Sequence, residues 1–183
     1  MPSKHQKWES LTKVSILNKN PWFEVFSESV RLPDGEVIPD YYNIEMPHYT
    51  AVFAVTGDQK VIVLRCYRHA IGKVTLTMPG GMVEAGESPL EGIQREFMEE
   101  TGYVAKEWKP LGGFVGNSTR GCGTYHLFFA TGAYPVQEPD SSDLEELELL
   151  LWTSEEVEQA IDERKAQSLG VLSMLLLGLR CLK

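Results

Sequence analysis

The chain has 183 residues, 43% of them hydrophobic and 23% charged, the composition of a soluble globular protein long enough to bury a core. Its net charge of −9 argues against non-specific binding to nucleic acid or to an anionic membrane, but not against a small polyanion that a cation bridges to acidic side chains. The longest apolar run, VLSMLLLGL near the C-terminus, is too short to span a bilayer, and no charged segment followed by an apolar stretch marks a secretory signal at the start. Three cysteines, Cys66, Cys122 and Cys181, lack CxxC spacing and read as reduced thiols of a cytoplasmic protein.

Residues 1–10 are polar. KVSILNKNPWFEVFSESVRL then alternates apolar and polar residues, LPDGEV supplies a Pro-Asp-Gly turn, and VIPDYYNIEM resumes the strand pattern. A small antiparallel sheet is expected over about residues 11–46. From Tyr49 the pattern is more apolar: TAVFAVT, a GDQ turn and KVIVLRCYR predict a buried hairpin. A helix follows, then strands in WKPLGGFVG and TYHLFFATGAY. An acidic loop, PVQEPDSSDLEE, leads to a strand in LELLLWT, a helix in SEEVEQAIDERK capped by Ser154, and a last helix in SLGVLSMLLLGLRCL. Strands and helices mix without regular βαβ alternation, so the expected class is α+β or a mixed-sheet α/β sandwich.

The segment GGMVEAGESPLEGIQREFMEETGY, residues 80–103, concentrates the chemistry. Ser88 is a good N-cap, Pro89 falls at the first helical position and Glu91 completes a capping box; Gly102 suits the residue just past the helix end. These signals predict a helix over 89–101. At about 100° per residue, Leu90, Ile93, Phe97 and Thr101 share a face for packing on the sheet, and Glu96, Glu99 and Glu100 fall on an arc beside it. Like charges that close repel, by roughly 0.2–0.5 kcal/mol per i,i+4 pair on an exposed face. They are either a solvated acidic face or ligands for a hard divalent cation, which takes oxygen donors and a substrate phosphate together. Gly80 and Gly81 would let backbone approach closely there.

The same segment resembles the Nudix box: Gly, five residues, Glu, seven residues, Arg-Glu, an apolar residue, any residue, Glu-Glu, any residue, Gly, an apolar residue. Gly81, Glu87, Arg95, Glu96, Glu99, Glu100 and Gly102 match all seven fixed positions; Phe97 and Tyr103 put aromatics where aliphatics are commoner. The resemblance implies the Nudix α/β/α sandwich with a mixed central sheet over residues 47–183, preceded by an N-terminal β extension over 1–46. It implies a hydrolase of diphosphates linked to another moiety, with Mg²⁺ or Mn²⁺ as cofactor. By the family pattern, Glu96, Glu99 and Glu100 with the Gly80 carbonyl would ligate metal, and Arg95 and Glu87 would orient those carboxylates.

Outside the box, VLRCYRHAIGKVTLTMPGG resembles the ADP-ribose and nucleotide-sugar pyrophosphatase branch, in which Arg68 would clamp the substrate diphosphate. The N-terminal sheet also resembles that branch, where it is exchanged in a homodimer. Trp22, Phe23, Tyr41 and Tyr42 are then candidates to stack on the base. The chain departs from the branch in VGNSTRGCGTYH, which lacks the usual proline and offers Asn117, Ser118, Thr119 and Arg120 instead. This favours a broader nucleotide-sugar substrate, such as ADP-ribose or GDP-mannose. The branch pattern places the general base in the acidic loop, at Asp143, Glu145 or Glu146, with Glu99 as the alternative.

The function implied is hydrolysis of a nucleoside diphosphate sugar to a nucleoside monophosphate and a sugar phosphate. The alternatives are a Nudix nucleoside triphosphate pyrophosphatase, whose chains are usually shorter and lack the N-terminal sheet, and a non-catalytic nucleotide-sugar binding module.

Overall fold

The computed structural model describes residues 6–140 and 146–183. Its contacts divide into two units. One holds the chain up to His48 with Val115–Thr124; the other holds Tyr49–Phe114 and Tyr125–Lys183.

The first unit is an antiparallel meander. Strands β1 (Glu9–Lys19), β2 (Phe23–Arg31) and β3 (Val37–Glu45) pair in sequence order, with Lys19 opposite Phe23 and Arg31 opposite Val37. The Pro-Asp-Gly turn forms as its residues require: Gly35 N donates to the Leu32 carbonyl at 3.0 Å and Glu36 N to the Asp34 carboxylate at 3.1 Å. These three strands bury little. Every residue of β1 is exposed, and Val14, Ile16 and Trp22 are each more than half exposed.

The second unit is an α/β/α sandwich, as expected. Its strands are β4 (Tyr49–Thr56), β5 (Val61–Arg68), β6 (Lys73–Thr77) and β7 (Tyr103–Val104). The hairpin of β8 (Glu107–Asn117) and β9 (Gly121–Pro135), apart from its Val115–Thr124 tip, and the strand β10 (Glu148–Trp152) complete the set. The helices are α1 (Pro89–Thr101), α2 (Ser154–Asp162) and α3 (Leu169–Cys181). The central order is β9-β4-β5-β10, with β4 and β9 parallel and the other neighbours antiparallel. β6 pairs with β5, and the chain after it runs along β4, where Val52 N donates to the Pro79 carbonyl and Thr50 N to the Gly81 carbonyl.

Alternation along β4 and β5 sorts the core into two layers. Val52, Ala54 and Ile62 pack with Ile93 and Phe97 of α1. On the other face Phe53, Val55, Val61 and Val63 pack with Val157 of α2 and with Met174 and Leu175 of α3. Phe97 is fully buried, which stabilises by about 1.5–3 kcal/mol relative to an exposed ring. α3 lies so close to the sheet that a Cβ at Gly178 would fall 2.1 Å from the Phe53 ring.

Four details differ from the sequence reading. β6 and the two-residue β7 were not anticipated. α2 is capped by Thr153, not Ser154, with Thr153 Oγ accepting from Glu156 N and the Glu156 carboxylate from Thr153 N. Leu90 is 39% exposed. The buried arc of α1 is centred on Ile93 and Glu100, rotated toward the glutamates, so Glu100 is taken inside; Leu90, at an angle between buried Phe97 and Thr101, is exposed in the first turn. Among the described residues no helix is long and apolar enough to cross a membrane.

Candidate active site

The site is built on α1 and the glycine-rich loop before it. The capping box forms with both of its bonds: Ser88 Oγ accepts from Glu91 N, and the Glu91 carboxylate accepts from Ser88 N at 2.8 Å. Gly102 ends the helix at φ 74°. These ends fix the phase of α1, and the phase sets where each glutamate points.

Arg95 is the hub. Nε donates to Glu87 Oε1 at 2.8 Å and Nη2 to Glu87 Oε2 at 3.2 Å, a paired bond to one carboxylate. Nη1 donates to Glu96 Oε1 at 2.9 Å and to Glu99 Oε2 at 3.1 Å. The remaining Nη2–H goes to the Met82 carbonyl at 3.1 Å. All five guanidinium donors are therefore used. The hydrogen bond to Glu87 is the chief cause that raises the Arg95 pKa, against burial, which opposes it. In return Arg95, followed by the Glu84 N–H, holds the Glu87 carboxyl below the usual carboxylate range.

Glu100 is 6% exposed and accepts a 2.7 Å bond from Gly80 N. Space is as tight as charge. A Cβ on Gly81 would lie 2.4 Å from Glu96 Oε1, so any other residue there would push that carboxylate away. A Cβ on Gly80 would meet the Thr50 carbonyl oxygen at 2.1 Å.

Three carboxylates, those of Glu87, Glu96 and Glu99, thus share one guanidinium, and the fourth, Glu100, is held by Gly80 N. The donors are all oxygen, hard and in acidic surplus, which fits Mg²⁺ or Mn²⁺ and not a soft metal. Among the described residues no three acidic side chains yet converge at ligating distance. Glu96 and Glu99 are turned onto Arg95 and Glu100 onto Gly80 N, where N–H donors balance them.

The other sequence candidates fall in both units. Arg68 Nη2 reaches Thr77 Oγ at 3.4 Å, three residues before Gly80. Tyr41, Asn117 and Arg120 come together within the first unit. Tyr41 Oη donates to the Thr119 carbonyl at 2.6 Å, and Arg120 stacks over the Tyr41 ring at 5.5 Å while Nη1 donates to the Tyr42 carbonyl. Asn117 Oδ1 accepts from Thr119 N and Arg120 N, forming the hairpin turn. Trp22 and Phe23 stand elsewhere: Phe23 pairs with Lys19, whereas Tyr41 pairs with Glu28, farther along β2. Glu146 is exposed just before β10; Asp143 and Glu145 lie outside the described residues.

Two contributors escaped the sequence reading. One is the Met82 carbonyl, which no side-chain pattern reveals. The other is Gly92, where a Cβ would meet Glu87 Oε2 at 3.2 Å and Thr50 Cγ2 at 3.7 Å. A glycine inside a helix costs about 1 kcal/mol against alanine, and that cost was the available signal.

Comparison with known proteins agrees with this geometry. The NUDIX domain profile matches residues 46–170. The chain is 28% identical over 143 residues to the ADP-ribose pyrophosphatase of Bacillus subtilis (strain 168), spanning 78% of this chain and 77% of that one. It is 29% identical over 139 residues to the methanol dehydrogenase activator of Bacillus methanolicus, spanning 75% of each. A crystal structure of an ADP compounds hydrolase shares the fold, with TM-score 0.84 at 20% identity, over 97% of this chain and 95% of that one. With the profile covering well over half of the chain and the box folded into a single hydrogen-bonded cluster, the chain belongs to the NUDIX family and is a Nudix hydrolase.

Proposed function

We propose that this Nudix hydrolase cleaves the diphosphate of a nucleoside diphosphate sugar, of the ADP-ribose or GDP-mannose type, to a nucleoside monophosphate and a sugar phosphate. The observation that carries the reading is the likeness to the Bacillus subtilis ADP-ribose pyrophosphatase. Its 143 aligned residues outrun the NUDIX segment of 46–170, so the likeness is not confined to the shared family core.

Glu96, Glu99 and Glu100, with the Gly80 carbonyl, would hold Mg²⁺ or Mn²⁺, which when bound neutralises diphosphate charge and stabilises the leaving phosphate. Arg95 and Glu87 keep the carboxylates oriented. Arg68, at the end of β5, is the proposed clamp on the diphosphate. A carboxylate of the acidic loop, from Asp143, Glu145 or Glu146, takes the proton of the attacking water as its oxygen bonds to phosphorus and the bridging P–O bond breaks.

The N-terminal sheet is proposed to be exchanged between the subunits of a homodimer, which would cover the apolar residues of β1. Trp22, Phe23 and Tyr41 are the proposed stacking surfaces for the base, and Asn117 and Arg120 the proposed polar contacts.

A second reading has its own support, since a relative at 29% identity carries the name of an activator of another enzyme. One product assay, run with Mg²⁺ and with Mn²⁺, separates the possibilities. AMP and ribose 5-phosphate from ADP-ribose are the expected products. Pyrophosphate from nucleoside triphosphates alone would replace the reading with a triphosphate hydrolase. No turnover of any nucleotide sugar with either metal would leave the activator reading standing.

A further inference from the structure

A cavity of about 470 Å³ lies at the outer edge of β6, beside the chain at Lys165. Arg65 shares a face of β5 with Val61 and Val63, which pack against α2 and α3, while Lys73 and Thr75, opposite Arg68 and Cys66, belong to the other face of the sheet, so the cavity wraps the edge. Lys73, Lys165, Trp152, Thr75 and Gln167 also line it. Its size is that of a small-molecule site.

The cavity is open to solvent, and hydrogen bonds fix one of its walls. Buried Thr75 staples the chain between α2 and α3 to the edge of β6: Thr75 Oγ donates to the Lys165 carbonyl at 3.1 Å and accepts from Gln167 N at 3.1 Å. Arg164, at φ 59°, is the left-handed residue that ends α2: its N–H bonds the Ile161 carbonyl at 3.0 Å and the Lys165 N–H bonds the Ala160 carbonyl at 2.9 Å, and this turn brings Lys165 beside β6.

Three cations meet here in a chain of net charge −9. Arg65 is held by Glu148 through two 2.7 Å bonds, and Lys165 pairs with Glu163 at 2.6 Å; each pair is about half exposed. Exposed pairs of this kind are weak and exchange readily for a stronger anion. Lys73 donates to the neutral amide of Gln167 at 3.3 Å and, among the described residues, has no carboxylate partner. A lysine with a neutral partner, a second lysine and an indole, all lining one cavity, are the side-chain types that take a phosphate joined to a flat ring.

We propose that this cavity is a second ligand site, for a phosphomonoester of a ring compound of nucleoside monophosphate size, separate from the carboxylate cluster. Lys73 and Lys165 take the phosphate, and Trp152 takes the ring.

The test is calorimetric titration of the full chain with AMP in EDTA. Without divalent metal the acidic cluster repels the anion, and the result does not depend on turnover, so it stands or falls apart from the proposed hydrolysis. We expect one saturable site, weakened at least ten-fold by Lys73→Glu and by Lys165→Glu, and unchanged by Glu100→Gln. Inorganic phosphate should bind at least ten-fold more weakly than AMP. Wild-type AMP affinity in both lysine variants, with unchanged circular dichroism, would overturn the site. Equal affinity for AMP and inorganic phosphate would overturn the ring's part in it.

Discussion

Arg95 and Glu87 share two hydrogen bonds, from Nε at 2.8 Å and from Nη2 at 3.2 Å, across the junction between the glycine-rich loop and α1. Loop and helix carry the two halves of the acidic cluster, and this pair fixes one half against the other.

Removing Arg95 would leave Glu87, Glu96 and Glu99 facing one another with their shared donor gone. Their side chains are 21%, 14% and 40% exposed, so water compensates only in part. We expect Arg95→Ala to lower stability by about 1.5–3 kcal/mol, the range for hydrogen bonds to charged groups. Arg95→Lys keeps the charge but not the fork, and should recover less than half of that loss. Urea unfolding of the three proteins checks both; an Arg95→Ala midpoint equal to wild type would remove Arg95 from the role of hub.

Acid should act on the same pair. The folded-state pKa of Glu87 is depressed, first by Arg95, so its contribution is complete above the unfolded carboxylate value near 4.5 and is lost as pH falls through the lower folded value. The stability gap between wild type and Glu87→Gln should therefore be constant from pH 7 to about 5 and close below about 4.5. A gap that widened on acidification would contradict the assignment.

For the proposed metal ligands, Glu96→Gln and Glu100→Gln keep size and remove charge. Each relieves repulsion on α1, so the fold should survive. Turnover at limiting Mg²⁺ should fall by at least about 10–100-fold, the loss typical of even the outer partners of a metal. Gly81→Ala should mimic Glu96→Gln, because its Cβ would occupy the place of the Glu96 carboxylate. Near wild-type activity of Glu100→Gln at limiting Mg²⁺ would show that the ligands are elsewhere.

The helix and its cluster were legible because the signals are local. Ser88, Pro89, Glu91 and Gly102 mark both ends of α1 within fifteen residues, and the box spacing then sets which carboxylates meet. What was missed depends on tertiary partners. β6 is a strand because β5 pairs with it, not because KVTLT is strongly apolar. Leu90 shares the angular position of buried Phe97 and Thr101 but sits in the first turn of α1, and periodicity reports angle, not how far the covering sheet extends along the axis. Thr153 and Ser154 are equivalent caps by type, and only the start of α2 distinguishes them.

The apolar exposure of β1 bears on assembly. Leu11, Val14, Ile16 and Leu17 are all exposed on a strand at the sheet edge, an arrangement that invites pairing with another chain. We expect light scattering at micromolar concentration to give twice the chain mass, and deletion of residues 1–46 to abolish the dimer. A monomer at that concentration would sink the exchange and with it the stacking role of Trp22 and Phe23.

The general base is the least local of the proposed parts. Asp143, Glu145 and Glu146 follow Pro139 and precede β10, on a connection long enough to bring a carboxylate to bound substrate. Removing a general base typically costs about 10²–10⁴-fold in rate. One of Asp143→Asn, Glu145→Gln and Glu146→Gln should therefore lower kcat into that range with KM little changed, and the other two should do much less. The split between kcat and KM matters: a residue that only bound substrate would raise KM instead. A pH profile adds a second readout, because the variant lacking the base should lose the acidic limb of kcat. If all three variants stay within a few-fold of wild type, the base lies outside this loop. Glu99 then becomes the first candidate, since it is the box carboxylate whose side chain is 40% exposed, against 14% for Glu96, and so is best placed to meet water.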